Sequence, residues 1–386
     1  MIENCIPELE GNELAYVTEA VRAGDLAIGR FIGAFEDSVR THAGARHAVA
    51  VSNGTAALHL ALLCAGVGPE TEVIVPAVTF AGTVNAVLLC GATPVILDCE
   101  AKGWGLDPQA LARFLDEDCR QGNDGPTDRR TGRRVSAMVP THIYGHPADM
   151  DPIEAAARRH GVAVVEDAAE ALGARYRGRA IGDGTNIAAL SFNGNKIVTS
   201  AGGGMVLTND EAIARRARYL ANQAKDADID FVHREAGFNY RLSNVQAAIG
   251  LAQCEGLDRR IARKRAIAEA YAEAFAAVPG AGVLREADYA FSSYWMPLLS
   301  WDAGLYGTRA VELARELVAE GIGVRPVWRP LNAQPAFADL GGPATPVADD
   351  LYGRSLCLPC STSITDAEIA TVVAAIVRRL EKRRAA

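Results

Sequence analysis

Apolar positions along the first two-thirds of the chain alternate between two spacings, one typical of buried strands and one typical of helices. Short apolar runs such as "HAVAVS" (47–52) and "VAVVED" (162–167) predict strands, whereas "TAALHLALLCAG" and "MDPIEAAARRHG" have the spacing of helices that end at a glycine. The two kinds of segment succeed each other from residue 47 to about residue 208. This order predicts an α/β fold with a largely parallel sheet.

Two stretches interrupt this alternation. Residues 116–134, "DEDCRQGNDGPTDRRTGRR", are polar and lack periodicity, which predicts a surface loop or hairpin between a helix and a strand. A long helical pattern from Asn244 to about Val278 predicts a connector between two domains. We therefore expect a large domain over residues 1–255, with a polar insert at about 116–135, and a smaller C-terminal α/β domain over residues 256–386.

Composition and charge exclude several classes of function. The 386 residues are 49% hydrophobic and 22% charged, with a net charge of -8 and scattered basic residues, so a nucleic-acid partner is not expected. The N-terminal sequence does not resemble a signal peptide, and no apolar run approaches the length of a membrane span, which predicts a cytoplasmic protein without a membrane partner. No metal site is expected. Cys357 and Cys360 have C-x-x-C spacing, but their position near the chain end favours two packed thiols over a redox motif.

A possible phosphate site follows the first predicted strand. Ser52-Asn53-Gly54-Thr55 opens a helix, and the unpaired N–H groups of a helix N-terminus suit a phosphate. Gly54 would let a ligand approach the backbone, and Thr55 adds a hydroxyl. The spacing matches neither G-x-x-x-x-G-K-[ST] nor G-x-G-x-x-G, so an ordinary helix cap is an equal alternative.

Two further residues carry charge where an apolar strand ends. Asp167 follows "VAVVE" and needs a cationic partner such as a protonated pyridine nitrogen, although a helix cap would also explain it. Lys196 stands in "SFNGNKIVTSAGGG", where a buried amine would be a nucleophile toward aldehydes and a solvated turn lysine is the simpler alternative. Ser191 could offer a hydroxyl to a phosphate, and Gly194 with residues 202–204 would keep side chains away from a flat ring.

Together these signals predict one site. A phosphate cradle, an acid for a ring nitrogen and a later lysine are the parts of a pyridoxal 5'-phosphate site. Their order along the chain is that of the aspartate-aminotransferase-like fold, also called fold type I of the pyridoxal phosphate-dependent transferases. That fold has a large domain with a mostly parallel seven-stranded sheet and a smaller C-terminal α/β domain.

The sequence also resembles one family over nearly its whole length, the DegT/DnrJ/EryC1/StrS aminotransferases that act on nucleotide-linked 4-keto-6-deoxy sugars. The resemblance runs through "SNGTAALHLAL", "EVIVPAVTFAGTVNAVLLCGATPVILD", "VVEDAAEALGARYRGRAIG", "SFNGNKIVTSAGGGM", "GFNYRLSNVQAAIGLAQ" and "RPVWRP". It implies that Lys196 carries the Schiff base with the cofactor and moves the proton, while Asp167 pairs with the ring nitrogen. Phe80 would stack on the ring, and Glu170 would lie near its hydroxyl edge.

The resemblance also implies how the cofactor phosphate and the substrate are held. Gly54, Thr55 and Ser191 would bind the phosphate, and Asn239 would reach it from the other subunit of a homodimer with shared active sites. The substrates would be L-glutamate and a nucleotide sugar. The residues implied to line the sugar-nucleotide side are His142, Tyr240, Arg241, Arg325 and Trp328.

Details of the motifs favour one branch of the family. Gly202 where many members have Glu, "FNGNK" and the polar insert at 119–134 resemble enzymes that aminate C4 of UDP-linked N-acetylated 4-keto sugars for cell-surface glycans. A GDP-4-keto-6-deoxymannose 4-aminotransferase (perosamine synthase) or a dTDP-sugar aminotransferase is the alternative. Lys196 argues against a sugar dehydratase, which would have histidine there. Lys196 and Asp167 together argue against a regulatory protein that has only kept the fold.

Overall fold

The structure is a computed structural model that describes residues 1–226 and 229–384. The helices in the first 255 residues are α1 (Glu13–Ala23), α2 (Arg30–Ala43), α3 (Gly54–Cys64), α4 (Ala81–Leu89), α5 (Pro108–Arg113), α6 (Met150–His160), α7 (Glu211–Ala221) and α8 (Asn244–Glu255). A π-helical turn, Phe114–Asp118, and a 3-10 turn, Ile143–Gly145, accompany them. None of the helices in the described part of the chain is long and apolar enough to cross a membrane.

The strands of the same region form the sheet that positions the candidate site. They are β1 (His47–Val51), β2 (Thr71–Pro76), β3 (Thr93–Leu97), β4 (Cys119–Gly122), β5 (Gly125–Asp128), β6 (Arg134–Met138), β7 (Ala163–Val164), β8 (Glu166–Asp167), β9 (Arg175–Tyr176), β10 (Arg179–Ala180), β11 (Ile187–Ser191) and β12 (Gly204–Thr208). Most of these strands match apolar runs of the sequence that predict strands. Their core-facing side chains are buried.

The central sheet is mostly parallel. β3, β2 and β6 pair in parallel, β6 pairs in parallel with β7, and β8 pairs in parallel with β11. Because β7 and β8 lie in one segment, 163–167, that segment joins both groups into seven strands in the order β3, β2, β6, β7/β8, β11, β12, β1. Only β12 runs antiparallel to its neighbours. The predicted α/β fold with a mostly parallel seven-stranded sheet is therefore confirmed.

The polar insert forms a hairpin. β4 and β5 pair in antiparallel register, and Thr127 of β5 pairs with Arg134 at the start of β6. The hairpin therefore lies at the amino-terminal edge of the parallel sheet, because β6 begins there. Ligands of open α/β sheets gather at the opposite edge, outside the carboxyl ends of the strands.

The C-terminal part builds a second, antiparallel sheet in the order β13, β15, β17, β16. Its elements are α9 (Leu257–Phe275), β13 (Ala281–Val283), β14 (Ala290–Phe291), β15 (Leu298–Trp301), α10 (Ala303–Tyr306), α11 (Ala310–Ala319), β16 (Arg325–Pro326), α12 (Pro346–Arg354), β17 (Ser355–Cys357) and α13 (Asp366–Arg384), with 3-10 turns at Leu331–Ala333 and Pro335–Leu340. β14 does not belong to this sheet. It pairs with β9, so a strand pair connects the C-terminal part to the first 255 residues.

The connector between the two parts differs from the single helix that the pattern predicts. α8 ends at Glu255 and α9 begins at Leu257, with Gly256 between them at φ -104° and ψ 11°. Glycine is a poor helix former, which explains the break. The first residues of the chain also pack on the C-terminal part, since Ile2 bridges Ile322. The boundary at residue 255 stays a prediction.

Candidate active site

A cavity of about 470 Å³ lies at the carboxyl ends of β1, β2, β6, β8 and β11 and is closed on its far side by residues of the C-terminal part. This is the edge at which ligands of open α/β sheets bind. The cavity is lined by nine of the residues singled out from the sequence, namely Gly54, Thr55, Phe80, Asp167, Glu170, Ser191, Lys196, Arg325 and Trp328.

The N-terminus of α3 and the end of β11 form one corner of the cavity. Asn53 caps the helix, because its Oδ1 accepts the N–H of Ala56 at 2.8 Å. A Cβ atom on Gly54 would lie 2.7 Å from Cβ of Ser191, so only glycine allows the helix and the strand end to come this close. The N–H groups of the first helical turn and the Ser191 hydroxyl thus face the same small volume, as a phosphate site requires.

The glycines at 202–204, after Lys196, allow close packing of the backbone at this corner in addition to leaving space for a ring. A Cβ on Gly204 would lie 2.4 Å from the carbonyl oxygen of Asn53, and the Gly203 N–H donates to the Ser52 carbonyl at 2.9 Å. The run therefore lets β12 pass directly against the start of α3. Gly194, by contrast, has open space where its side chain would be and does not line the cavity. The expectation that Gly194 makes room for a ring is wrong.

Asp167 is held at the base of the cavity by hydrogen bonds from neutral groups. Its Oδ2 accepts from the Thr83 hydroxyl at 2.6 Å and its Oδ1 from the N–H of Ala169 at 3.1 Å. Burial raises the pKa of Asp167 above its ordinary value, and the Thr83 hydrogen bond opposes that rise. A cation placed against this buried carboxylate would stabilise its ionised form.

Lys196 and Glu170 form an ion pair inside the cavity. The Lys196 amine lies 3.1 Å from Oε1 of Glu170, and the lysine side chain is 12% exposed. Burial raises the pKa of Glu170 to about 7, although Lys196 acts in the opposite direction. The amine also lies 3.9 Å from the ring centroid of Trp295, a cation–π distance. Glu170 can therefore hold or release a proton near neutral pH beside this amine.

Aromatic side chains form the wall opposite the sheet. Tyr144 lies between Trp295 and Trp328, with ring centroids 6.0 Å and 4.7 Å away, and its hydroxyl accepts the N–H of Trp328 at 3.1 Å. Phe80 lies 5.7 Å from Trp328 and is 61% exposed. A large apolar side chain this exposed at a cavity mouth marks a surface for ligand contact.

Four residues implied to contact the cofactor phosphate or the substrate do not line this cavity: His142, Asn239, Tyr240 and Arg241. His142 is fully buried: its Nε2 donates to Glu166 at 2.9 Å, while its Nδ1 accepts the N–H of Ala148 at 3.1 Å. This ring is already satisfied inside the protein, so the expectation that His142 lines the substrate side is corrected. The segment 239–241 runs beside the end of β1, where the Ser52 N–H donates to the Tyr240 carbonyl at 2.7 Å. Asn239 and Arg241 are exposed there.

The structure also adds residues that the sequence argument missed. Thr83, Tyr144 and Trp295 touch Asp167, Glu170 and Lys196 respectively. Thr83 belongs to α4 and Trp295 to the C-terminal part, far along the chain from their partners. Asn193 and Asn195 also line the cavity, and their place beside Lys196 in "SFNGNK" is a signal that could have found them.

The residues present fit pyridoxal phosphate. Asp167 is a buried carboxylate whose hydrogen bonds come from a hydroxyl and a backbone N–H, which leaves its charge to be matched by a ring N–H. Lys196 provides an amine in the same cavity as the phosphate corner. This fold and site define the class of fold type I enzymes that use pyridoxal phosphate.

Comparisons with known proteins give the family. The chain belongs to the DegT/DnrJ/EryC1/StrS aminotransferase family, whose sequence model matches residues 7–377. GDP-perosamine synthase of Caulobacter vibrioides is 38% identical over 374 residues, 96% of each chain. DesV of S. venezuelae has a TM-score of 0.85 at 32% identity, with 96% of this chain and 94% of that chain covered. DesI, solved with its TDP-sugar product, has a TM-score of 0.88 at 28% identity, covering 100% and 94%. The protein is thus a pyridoxal phosphate-dependent sugar aminotransferase.

The geometry assigns the chemical tasks within this site. Pyridoxal phosphate, when bound, supplies an aldehyde for covalent attachment and a ring that accepts electrons. With the cofactor bound, Lys196 would supply the nucleophilic amine, and Glu170 would hold or release a proton beside that amine. Asp167 would favour the protonated form of the ring nitrogen. Tyr144, Trp295 and Trp328 would shield the cavity from water on the side opposite the sheet.

Proposed function

We propose that this enzyme transfers an amino group from L-glutamate to C4 of a GDP-linked 4-keto-6-deoxyhexose. The observation that carries the proposal is the similarity to GDP-perosamine synthase of Caulobacter vibrioides, which extends over 96% of both chains. It favours the GDP-linked substrate, the alternative at the level of sequence motifs, over the UDP-linked N-acetylated sugar.

The cavity suits an anionic substrate with a flat base. Arg325 is exposed and lines the cavity, so its guanidinium can form bidentate hydrogen bonds with a diphosphate. Trp328 and the exposed ring of Phe80 stand on the same side and offer faces for a base or a sugar ring. Arg325 and Trp328 therefore retain the substrate roles that the sequence implied, and His142 does not.

The UDP-linked substrate keeps one supporting observation and loses another. Gly202 lines the cavity beside Gln246, whose Nε2 would lie 3.0 Å from a Cβ atom at this position, so a larger residue such as Glu would require Gln246 to move. The polar insert supports no such preference, because its hairpin extends from the start of β6 at the opposite edge of the sheet. The UDP-linked sugar is therefore the second candidate.

We further propose that two copies of the chain form a homodimer with shared sites. Asn239 is exposed and lies outside the cavity of its own chain, although it belongs to the segment beside the phosphate corner. A side chain in this position can complete the phosphate site of a partner. Tyr240 contacts His59 through its hydroxyl at 3.3 Å, which holds the segment in place.

A half-reaction separates the candidate substrates. The enzyme is first treated with L-glutamate until the cofactor absorbance changes to that of the amine form, and excess donor is then removed. GDP-, UDP- and dTDP-linked 4-keto-6-deoxy sugars are added separately, and the return of the original absorbance is followed while mass spectrometry identifies the amino sugar. Return with the GDP-linked sugar alone supports the proposal. Return with only the UDP-linked N-acetylated sugar overturns the nucleotide assignment, and no return with any sugar overturns the proposed reaction at C4.

A further inference from the structure

A buried lysine outside the active site is surrounded by two cysteines. Lys264 is 3% exposed, and its amine lies 3.3 Å from Sγ of Cys5 and 3.3 Å from Sγ of Cys360. Its other hydrogen bonds go to the carbonyl oxygens of Cys360 at 2.7 Å and Trp295 at 3.1 Å. Among the described residues, the groups that accept from this ammonium therefore include no carboxylate. A buried ammonium needs a compensating negative charge, and here only a thiolate can supply it.

The two sulfurs can reach each other. Both sulfurs lie 3.3 Å from the Lys264 amine, and the Cys360 N–H donates to the Asn4 carbonyl at 2.7 Å. The N–H of Ile6 donates to the Ser361 hydroxyl at 3.0 Å, so the two segments run alongside each other. Adjacent, hydrogen-bonded segments bring Cα atoms into the range that a disulfide requires. Cys360 is fully buried, whereas Cys5 is partly exposed and open to a small reagent.

The cluster of Cys5, Lys264 and Cys360 contacts the residues that lie next to the active-site Lys196. The Cys5 sulfur lies 3.4 Å from the Asn195 carbonyl oxygen, and the Trp295 indole N–H donates to the same oxygen at 2.7 Å. Asn195 precedes Lys196 in the chain, and the Trp295 ring lies 3.9 Å from the Lys196 amine. Lys264 in turn holds the Trp295 carbonyl. A chemical change at Cys5 therefore acts on Asn195 and Trp295, two residues in contact with Lys196.

We propose that Cys5 and Cys360 are a peroxide-oxidisable thiol pair that controls the position of Lys196. The Cys5 thiolate attacks one oxygen of a hydroperoxide, the O–O bond breaks, and a sulfenic acid forms with release of water or an alcohol. The Cys360 sulfur then attacks the sulfenic sulfur, the S–O bond breaks, and a second molecule leaves as water. The two thiols lose two protons and two electrons in total, which reduce one peroxide. This pair differs from the C-x-x-C spacing of Cys357 and Cys360.

The charges around Cys5 make it the attacking sulfur. The hydrogen bond to Cys360 and the ammonium groups of Lys264 and Lys196 outweigh burial and lower the pKa of the Cys5 thiol to about 6. Cys64 is a matched comparison because it is also partly exposed, but burial raises the pKa of its thiol to about 11. At pH 7 we expect Cys5 to be alkylated at least about tenfold faster than Cys64, since its thiolate fraction outweighs its lower intrinsic nucleophilicity.

The consequence for activity follows from the lost charge and the altered contact with Asn195. A disulfide removes the negative charge of the Cys5 thiolate beside Lys264 and draws the Cys5 sulfur toward Cys360, which changes its 3.4 Å contact with the Asn195 carbonyl. We therefore expect the oxidised holoenzyme to lose activity several-fold and to regain it with a dithiol reductant. For the unchanged enzyme and for each variant, the quantity compared is the activity after oxidation divided by the activity after reduction. This ratio does not depend on the basal rate of the variant.

The test treats the holoenzyme with hydrogen peroxide and maps its peptides by mass spectrometry. A Cys5–Cys360 peptide that has lost two hydrogen atoms, together with reversible inactivation, supports the proposal. Cys5→Ser and Cys360→Ser should each make the activity ratio insensitive to peroxide, whereas Cys64→Ser should behave like the unchanged enzyme. Oxidation of Cys5 that stops without Cys360, or alkylation no faster than that of Cys64, overturns the thiol pair. A disulfide that leaves activity unchanged overturns its link to Lys196.

Discussion

The carboxylate of Glu170 joins two parts of the active site, because one oxygen lies 3.1 Å from the Lys196 amine and the other accepts the N–H of Tyr144 at 2.7 Å. Tyr144 has a φ of 53°, a left-handed conformation that is uncommon for a tyrosine. The hydrogen bond from its N–H stabilises that conformation. Glu170 thus fixes both the lysine and the tyrosine whose ring contacts Trp295 and Trp328.

The raised pKa of Glu170 predicts a pH-dependent stability of the cofactor-free protein. Burial places this pKa at about 7 in the folded state, above the unfolded value of about 4.3. The folded state then binds more protons than the unfolded state between these values, so the free energy of unfolding falls as pH rises through this window. Glu170→Gln removes the contribution, and we expect its stability relative to wild type to increase from pH 5 to pH 7 by at most about 1.4 kcal/mol per pH unit.

Urea unfolding at pH 5, 6, 7 and 8 measures this difference. Glu273→Gln is the control, since Glu273 is exposed and its loss removes one carboxylate without removing a buried one. A constant difference between Glu170→Gln and wild type over this pH range would show that Glu170 is not protonated in the folded protein.

Thr83 is expected to act on the cofactor through Asp167. Thr83→Val removes the 2.6 Å hydrogen bond to Oδ2, so the pKa of Asp167 rises further and the carboxylate is less often ionised. A hydrogen bond to a charged group contributes about 1.5–3 kcal/mol, which corresponds to roughly ten- to a hundredfold weaker cofactor binding. Thr83→Ser keeps the hydroxyl and should bind the cofactor nearly as wild type does. Cofactor titration followed by absorbance measures both, and equal affinities of the two variants contradict the role assigned to Thr83.

The sequence predicts those residues of the site that come shortly after a strand along the chain. Gly54, Asp167 and Lys196 each stand at the end of an apolar run, and the parallel sheet brings such positions to one edge. Thr83 was missed because a threonine in an apolar helix carries no signal of the carboxylate that it contacts. Trp295 was missed because "SSYWMPLL" describes a buried tryptophan equally well.

The errors have similar physical causes. His142 was assigned to the substrate side, but its two ring nitrogens are occupied by Glu166 and the N–H of Ala148, a tertiary arrangement that no local pattern reveals. The polar insert was correctly interpreted as a loop or hairpin. Its relevance to the substrate was not predictable, since only the sheet pairing places it at the far edge. The break at Gly256 did have a local signal, the glycine itself.

The contact between Gly54 and Ser191 predicts a selective effect of one methyl group. Gly54→Ala places Cβ 2.7 Å from the Cβ of Ser191, an atom fixed to the backbone that cannot rotate away. The corner must open, and overpacking of this kind costs about 1–3 kcal/mol. We expect a lower melting temperature and weaker cofactor binding. Gly194→Ala is the matched control, in the loop that follows Ser191, because its Cβ meets nothing within 4 Å. Equal cofactor affinities in the two variants would contradict the close contact at the phosphate corner.

The proposed homodimer predicts recovery of activity when two inactive chains are mixed. Lys196→Ala removes the amine, and Asn239→Asp places a negative charge where the partner's cofactor phosphate would bind. In a mixed dimer with shared sites, one site combines the intact Lys196 of one chain with the intact Asn239 of the other. Random mixing should then restore about a quarter of the wild-type activity per chain, because about half of the dimers are mixed and each has one intact site.

A second mixture keeps both substitutions in one chain and tests the same geometry from the opposite direction. When the doubly substituted chain is mixed with wild type, the wild-type Lys196 of the mixed dimer meets the partner's altered residue 239, so neither site is intact. Activity should fall below that of the same amount of wild-type protein before the chains exchange, in proportion to the mixed dimers formed. If Asn239 served the site of its own chain, the first mixture would stay inactive and the wild-type half of the second would keep its activity. If the phosphate site is completed across the dimer, activity therefore rises in the first mixture and falls in the second.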